Sequence, residues 1–162
     1  MQLCHPKNAE LAKELQKYKG RLVFRGDNTK DQDGFYAVFS EQGTSSAHMA
    51  ATKFLDAIAR MPGCAGEDSD AIGAYTQILL DAADRLLGPG VFPETWITLP
   101  RNRWTDKMKT MRNPIVRLQR NLYGHPLAGL LWDKGSQEIL RTIGWERIPG
   151  WEGFYLHRKR RL

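Results

Sequence analysis

The sequence predicts a single α+β domain. Short segments that alternate like strands are interspersed irregularly with longer segments whose apolar residues recur at helical spacing. No internal repeat, Gly/Ser-rich linker or low-complexity tract divides the chain of 162 residues. A chain of this length most simply forms one domain, which hides roughly 70% of its unfolded surface on folding. We therefore expect one α+β domain without an internal boundary.

Four segments carry apolar residues at the spacing of a helix. The first is residues 8–18, with Asn8 as the cap and Leu11, Leu15 and Tyr18 as the apolar stripe. The second is residues 44–61, which starts at Thr44 and is stopped by Pro62-Gly63, and the third is residues 75–87, which is ended by Gly88. The fourth is residues 126–143, with Pro126 at the favoured first position. The last of these has Leu127, Leu131, Ile139, Leu140 and Ile143 facing inward, and Gly135 weakens it somewhat.

Short strands are expected between these helices, because β-branched and aromatic residues are bounded there by turn signals. The predicted strands are Leu22–Phe24, closed by the turn Gly26-Asp27-Asn28; Phe35–Phe39; Trp96–Leu99, closed by Pro100; Ile115–Leu118; and Phe154–Leu156.

The chain is basic, which suits a polyanionic partner but does not require one. Lys and Arg total 24 against 18 Asp and Glu, so the net charge is +6. Each phosphate that such a protein neutralises releases counterions, which favours binding; a basic domain that binds nothing has the same composition. The chain shows neither a membrane-spanning apolar run nor a signal-like N-terminus, so we expect an intracellular protein without a membrane partner.

Cys4 and Cys64 are the only cysteines, and two cysteines far apart favour reduced thiols over a disulfide. The histidines form no pair at zinc-ligand spacing, so no zinc site is expected.

Asp68 and Asp70 are candidates for a cation site. In an extended strand their side chains share a face, because side chains alternate with a period of two. Two carboxylates on one face can hold a hard cation such as magnesium through oxygen ligands. Taken alone, these residues are more simply explained by an exposed acidic turn after Gly63 and Gly66.

Four segments together resemble the reverse transcriptases of copia-type retrotransposons. Residues 18–23, Tyr-Lys-Gly-Arg-Leu-Val, resemble the fingers strand that is usually Tyr-Lys-Ala-Arg-Leu-Val. Residues 70–75, Asp-Ala-Ile-Gly-Ala-Tyr, resemble the first palm motif, in which an Asp precedes an aromatic residue by five positions. Residues 122–128, Leu-Tyr-Gly-His-Pro-Leu-Ala, resemble the family's Leu-Tyr-Gly-Leu-Lys-Gln-Ala, and residues 96–100 lie where it has a short strand ending in proline.

The resemblance covers about residues 18–156 and implies an incomplete fingers/palm region of a reverse transcriptase. The whole chain, residues 1–162, would be one partial domain that ends in a basic tail at residues 157–162. Its expected architecture is a small antiparallel sheet with two long packed helices.

The resemblance also implies a catalytic role for Asp70. In this family two metal ions roughly 3.5–4 Å apart activate the primer hydroxyl and steady the leaving pyrophosphate. Asp70 would bind both Mg²⁺ (or Mn²⁺) ions, and the carbonyl of Ala71 would help.

Further residues would bind the incoming nucleotide if the resemblance holds. Tyr75 would lie under its sugar and reject a 2′-hydroxyl by steric exclusion, with Tyr123 nearby. Lys19 and Arg21 would reach the triphosphate, since charged donors match its oxygens. Gly124 would let the backbone approach the nucleotide closely.

Each of these roles has a simpler alternative. Tyr75 and Tyr123 have the apolar neighbours of ordinary core aromatics. Lys19 and Arg21 alternate with other residues as on a solvated strand face. His125-Pro126 departs from the family's Leu-Lys, which puts contacts from those two positions in doubt.

The family's third palm motif, an aromatic-x-Asp-Asp turn, is expected after a strand like residues 154–156, but no acidic residue follows Glu152. Two divalent ions 4 Å apart repel by about 17 kcal/mol at an effective dielectric constant of 20, and one carboxylate cannot offset this. We therefore expect a fragment of an RNA-directed DNA polymerase from a retrotransposon polyprotein that is inactive alone. The alternative is a non-catalytic, basic nucleic-acid-binding module derived from the same family.

The expected partners are an RNA or DNA template-primer, a deoxynucleoside triphosphate and the remainder of the polyprotein. The basic run Arg158, Lys159, Arg160 and Arg161 suits a phosphate backbone or a nuclear import signal, and equally a solvated chain end. The compartment stays open between a cytoplasmic particle and the nucleus.

Overall fold

The computed structural model describes residues 1–37, 47, 49–67, 69–90 and 94–160. Their strands are β1 (Gln2–Lys7), β2 (Lys17–Leu22), β3 (Trp96–Ile97), β4 (Val116–Arg117), β5 (Glu146–Arg147) and β6 (Tyr155–Leu156). Their helices are α1 (Met49–Ala59), α2 (Ala74–Gln77), α3 (Ala83–Leu87), α4 (Asp106–Lys109) and α5 (Ala128–Thr142). Consecutive strands pair into three separate antiparallel sheets of two strands each. The chain is therefore mixed α and β with small antiparallel sheets, as the sequence predicts.

The core lies where α5 packs on the segment that contains α2 and α3. Its buried side chains are Ile78, Leu80, Ala83, Leu127 and Leu131, flanked by the half-buried Leu86, Leu87, Leu118 and Trp132. Leu131 is completely buried. Gly135, also buried, faces the Ile78 side chain so closely that a Cβ would collide with its Cδ1 atom. The glycine thus weakens α5 locally but lets Ile78 pack against it.

The prediction of one continuous helix over residues 75–87 is wrong. The chain forms α2, then extends at Ile78 and Leu79, and resumes as a 3₁₀ turn at Leu80–Ala82 before α3. In the extended part, the Leu80 N–H donates to the Gln119 carbonyl at 2.9 Å and the Ile78 carbonyl accepts from the Asn121 N–H at 2.9 Å. These bonds to residues 119–121 replace the helical hydrogen bonds. In this extended conformation Ile78 and Leu80 are buried and Leu79 is exposed.

The helix predicted over residues 8–18 is also wrong. Residues 8–16 form the loop of a hairpin, with a 3₁₀ turn at Lys13–Leu15, and the hairpin strands β1 and β2 pair Gln2 with Leu22 and Lys7 with Lys17. Asn8, the expected cap, has a left-handed φ of 61° in the connecting loop. Leu11 and Leu15 are 44% and 59% exposed, so the apolar stripe has no core to cover. Most of the stability of a protein helix comes from such packing, and without it only the short 3₁₀ turn at Lys13–Leu15 forms.

Most of the other predicted strands and helices occur where they were expected, but they are shorter than predicted. β3, β4, β6 and α5 lie inside the predicted segments, and the turn at Gly26–Asn28 is a 3₁₀ turn. β2 ends at Leu22, so Val23 and Phe24 continue beyond the strand. Tyr36 forms only an isolated bridge with Lys30. The rest of the predicted strand at 38–39, and the predicted helix start at 44–46, lie outside the described residues.

Within the described residues, the two longest helices, α1 and α5, do not pack on each other. The expected helix pair is replaced by α5 with the short helices α2 and α3, which bring the core leucines to it. Cys4 and Cys64 are both free thiols, as predicted, and both are exposed. In the described part of the chain, no helix has the length and hydropathy needed to cross a membrane.

Candidate nucleotide and nucleic-acid site

The loop at residues 121–126 is anchored by a buried asparagine. The Asn121 side chain has no exposed surface; its Nδ2 donates to the Ala128 carbonyl at 3.0 Å and its Oδ1 accepts from the Leu122 N–H at 2.9 Å. Buried amides without such partners are costly, so these bonds fix the loop against the start of α5. Three other parts of the chain meet this fixed loop.

The first part to meet the loop is the segment that follows β2. The Phe24 N–H donates to the Tyr123 carbonyl at 2.8 Å. Gly124 has a φ of +86°, and a Cβ there would collide with the Phe24 carbonyl oxygen. A Cβ on Gly26 would lie 2.5 Å from the Gly124 carbonyl oxygen. Gly124 is therefore required for a close approach, and the backbone that it approaches is that of Phe24.

The second part is the start of α2. The rings of Tyr75 and Tyr123 lie with centroids 4.7 Å apart at an angle of 47°. Both residues are half-buried, so part of each stays accessible to solvent. The structure thus brings together two residues that the resemblance assigns to the nucleotide site. An aromatic pair of this kind also stabilises the fold by about 0.5–1.5 kcal/mol, which agrees with the core alternative.

The third part is the strand region before β3, which contacts the loop through His125. Thr95 Oγ1 lies 3.2 Å from His125 Nε2, and the Leu127 N–H donates to His125 Nδ1 at 3.2 Å. The Phe24 ring lies 5.1 Å from the imidazole, which is only 5% exposed. Burial lowers the pKa of His125 from 6.5 to about 4. The imidazole is therefore neutral at pH 7 and holds the loop in place without contributing a positive charge.

Asp70 and Ala71 lie in an irregular, exposed segment before α2, and the extended strand expected for Asp70 is not formed. Gly73 turns the chain there with a left-handed φ of 61°, and its carbonyl is taken by the Thr76 N–H and hydroxyl. Asp68, the possible second carboxylate, lies outside the described residues.

Among the described residues, Asp70 has no second ligand with which to hold a pair of metal ions. In the part of the chain that the structure describes, no group of three His, Cys, Asp or Glu side chains could hold a metal ion. A single exposed carboxylate at Asp70 does not fit a pair of divalent ions.

Lys19 and Arg21 lie on β2, where every residue of the hairpin is exposed. Lys19 is paired with His5 across the hairpin, and Arg21 with Leu3. The same face carries Lys17 and, opposite it, Lys7. Sequence reasoning missed Lys7 and Lys17, although the alternation Lys17, Lys19, Arg21 was a usable signal. Lys7 could not be added without the register that the structure supplies.

A groove of about 380 Å³ lies between the chain after β2 and the β3 segment. More of its lining surface is polar than apolar: Arg25, Asn28 and Lys30 lie beside the apolar Phe24 and Trp96. Of the four segments that resemble the polymerase family, the groove touches three, at residues 22–23, 96–100 and 122.

The basic tail is partly neutralised. Arg158 Nε lies 2.8 Å from a carboxylate oxygen of Glu146 on β5, and this ion pair raises the pKa of the guanidinium further. Lys159 and Arg160 are exposed, and Arg161 lies outside the described residues. Of the described tail, Lys159 and Arg160 form no ion pair within the described residues.

Comparison of the chain with protein-family models, with curated proteins and with solved structures finds no match.

Proposed function

We propose that this chain is a fragment of an RNA-directed DNA polymerase of the copia retrotransposon type, which binds nucleotide and nucleic acid but does not polymerise by itself. One observation carries the proposal: the loop at 121–126 belongs largely to one of the four segments with the family's wording, and each of the other three ends at this loop or lies next to a residue that contacts it. Phe24 follows the first segment and bonds to Tyr123, and Tyr75 ends the second and packs on the same residue. Thr95 precedes the third and contacts His125 within the fourth. Segments far apart in sequence that share one location favour a common binding function over a chance likeness.

The proposed nucleotide site is the exposed side of the Tyr75–Tyr123 pair. A half-buried ring held by a second ring is rigid, and a rigid ring beside a sugar excludes an added hydroxyl by its bulk. Mg²⁺ or Mn²⁺ would enter as the companion of the triphosphate, which would supply oxygen ligands that the single carboxylate of Asp70 does not. The proposed partners are a template-primer, a deoxynucleoside triphosphate and the rest of a polyprotein.

The nucleotide part of the proposal is tested by titrating the protein with dATP and with ATP in magnesium, followed by intrinsic fluorescence. We expect dATP to bind several-fold more tightly. Tyr75→Ala should remove that preference, because the ring that meets the 2′-hydroxyl is gone, whereas Tyr75→Phe should keep it. Equal affinity of the unaltered protein for both nucleotides, or no binding of either, would contradict the proposal.

The expected lack of polymerisation is tested separately by primer extension with magnesium. A single exposed carboxylate should give no template-dependent product. A product that disappears in Asp70→Asn would show that the chain is a complete enzyme and would overturn this part of the proposal.

One observation favours the second candidate function, a non-catalytic basic module. The cations of the β1–β2 hairpin are exposed, and none of them takes part in an ion pair within the described residues. Such a surface binds polyanions without any catalytic residue.

A further inference from the structure

The two faces of the β1–β2 hairpin differ sharply in charge. Residues directly opposite each other in an antiparallel pair share a face. The pairs Lys7–Lys17, His5–Lys19 and Leu3–Arg21 therefore form one face, which we call the cationic face. The pairs Pro6–Tyr18, Cys4–Gly20 and Gln2–Leu22 form the other. No acidic residue occurs in either strand, so four positive side chains lie on one face without a neighbouring negative one in the hairpin.

The cationic face is open to solvent within the described chain. Gln2, on the opposite face, accepts a hydrogen bond at 3.4 Å from Asn102, which belongs to the 3₁₀ turn before α4. Beyond their mutual pairing, β1 and β2 pack on no other described helix or strand. Every residue of the two strands is exposed.

The arrangement is not one that folding alone favours. Lys7 and Lys17 lie directly opposite each other, and like charges in that position destabilise a hairpin. Glu10 and Glu14 lie in the connecting loop, yet neither forms an ion pair with these lysines within the described residues. A polyanionic partner would remove the repulsion, because it supplies the missing negative charge.

We infer that the cationic face of the β1–β2 hairpin binds the phosphate backbone of nucleic acid, with Lys7, Lys17, Lys19 and Arg21 as the contacts. Alternate side chains of a strand are about 6.8 Å apart, which is close to twice the 3.4 Å axial spacing of phosphates on one DNA strand. A two-stranded ribbon also has the width that the major groove of a duplex admits. The inference holds whether or not the chain descends from a polymerase, because it depends only on this face.

The test is fluorescence anisotropy with a labelled mixed-sequence duplex of about 20 base pairs between 50 and 200 mM salt. Four phosphate contacts predict a slope of about −3.6 for log affinity against log salt. The triple substitution Lys17→Gln, Lys19→Gln, Arg21→Gln should reduce the slope to about −0.9 and weaken binding at 0.1 M salt on the order of 10²-fold. A labelled single strand whose binding is also weakened by the triple substitution supports the inference too.

The matched control removes three exposed cations elsewhere, as Lys53→Gln, Arg60→Gln and Lys134→Gln, so both variants have the same net charge. This control should keep the slope of the unaltered protein. The charge-retaining variant Lys17→Arg, Lys19→Arg should also keep it, which separates loss of charge from loss of fold.

Three results would overturn the inference. They are equal weakening by both triple substitutions, absence of salt-dependent duplex binding by the unaltered protein, and stronger binding to anionic lipid vesicles than to duplex at the same salt. Failure of the nucleotide test at Tyr75 leaves the result of this test unchanged, so the two proposals fail separately.

Discussion

Gly124 shows how a single residue fixes the centre of this molecule. Its φ of +86° lies in the left-handed region, and its α-carbon approaches the Phe24 carbonyl more closely than any side chain would permit. The neighbouring Phe24 N–H to Tyr123 carbonyl bond depends on the same approach. The family resemblance assigns the glycine to a nucleotide, but its described neighbour is protein backbone.

Gly124→Ala should lower the free energy of unfolding by about 2–4 kcal/mol, because left-handed strain and a backbone clash add together. Gly150→Ala is the matched control, since Gly150 has a φ of +78° and no atom lies within 4 Å of the point that an added methyl group would occupy. It should lose only the strain, roughly 1 kcal/mol. Urea unfolding of both variants measures the difference. Similar losses would mean that the Phe24 approach has no energetic weight.

At the scale of elements, α5 and the β1–β2 hairpin are stabilised in opposite ways. α5 lies against buried leucines and accepts a glycine at its centre, because Gly135 makes room for Ile78. An ion pair between Arg85 and Glu138 joins it to α3 at the surface. The hairpin has no buried residue and depends on its own backbone pairing, so its surface charges matter more to its stability.

Lys17→Glu should stabilise the hairpin, because it replaces a like-charge pair with Lys7 by an opposite-charge pair. The expected gain is about 0.5–1 kcal/mol, measured as slower amide hydrogen exchange in β1 and β2. Lys13→Glu, in the connecting 3₁₀ turn, makes the same charge change away from Lys7 and should gain less.

Added salt should shrink the difference between the two variants, since exposed charges are screened. If Lys17→Glu and Lys13→Glu protect the hairpin equally, the cross-strand repulsion is not significant. If Lys17→Glu stabilises the hairpin and weakens duplex binding, the lysine is kept at a cost to stability, as expected for a binding residue.

At the scale of the whole molecule, the loop at 121–126 joins the core to the outlying segments. Its Asn121 bonds to the chain at Ile78, its Tyr123 packs on Tyr75, and its His125 contacts Thr95 and Phe24. Any change that expels His125 from this junction should therefore reduce the stability of the molecule as a whole.

Stability should fall as the pH is lowered from 6.5 toward 4. The pKa of His125 is about 4 in the folded chain against an ordinary 6.5, so below 6.5 the unfolded chain takes up a proton that the folded chain does not. A proton on Nδ1 would also face the Leu127 N–H, which donates to that atom. The expected loss between pH 7 and pH 5 is about 2 kcal/mol by urea unfolding.

His125→Gln is the comparison for this pH effect. It should be less stable at pH 7 but lose little more on acidification, because glutamine does not titrate in this range. An unfolding free energy of the unaltered protein that stays constant from pH 7 to pH 5 would contradict the burial of His125.

The sequence alone was enough to predict the fold class, the position of α5 and the positions of several strands. Amphipathic spacing marks Leu127 and Leu131 as inward-facing, and both are buried. Of the site, the sequence marked Tyr75, Tyr123 and Gly124 as a group, and the structure brings these residues together at one loop. Asp70 was placed on a strand that is not formed, because two alternating acids fit an exposed turn as well.

What the sequence by itself determined is local: the turn glycines, the basic charge, and the amphipathic pattern of α5. Only the tertiary structure decided that residues 8–18 leave the helical state and that Ile78–Leu80 pair with residues 119–121. It also decided that Lys7 lies opposite Lys17. The physical reason is that a local pattern specifies which face is apolar or charged, whereas hydrogen bonds between distant segments select the partner of that face.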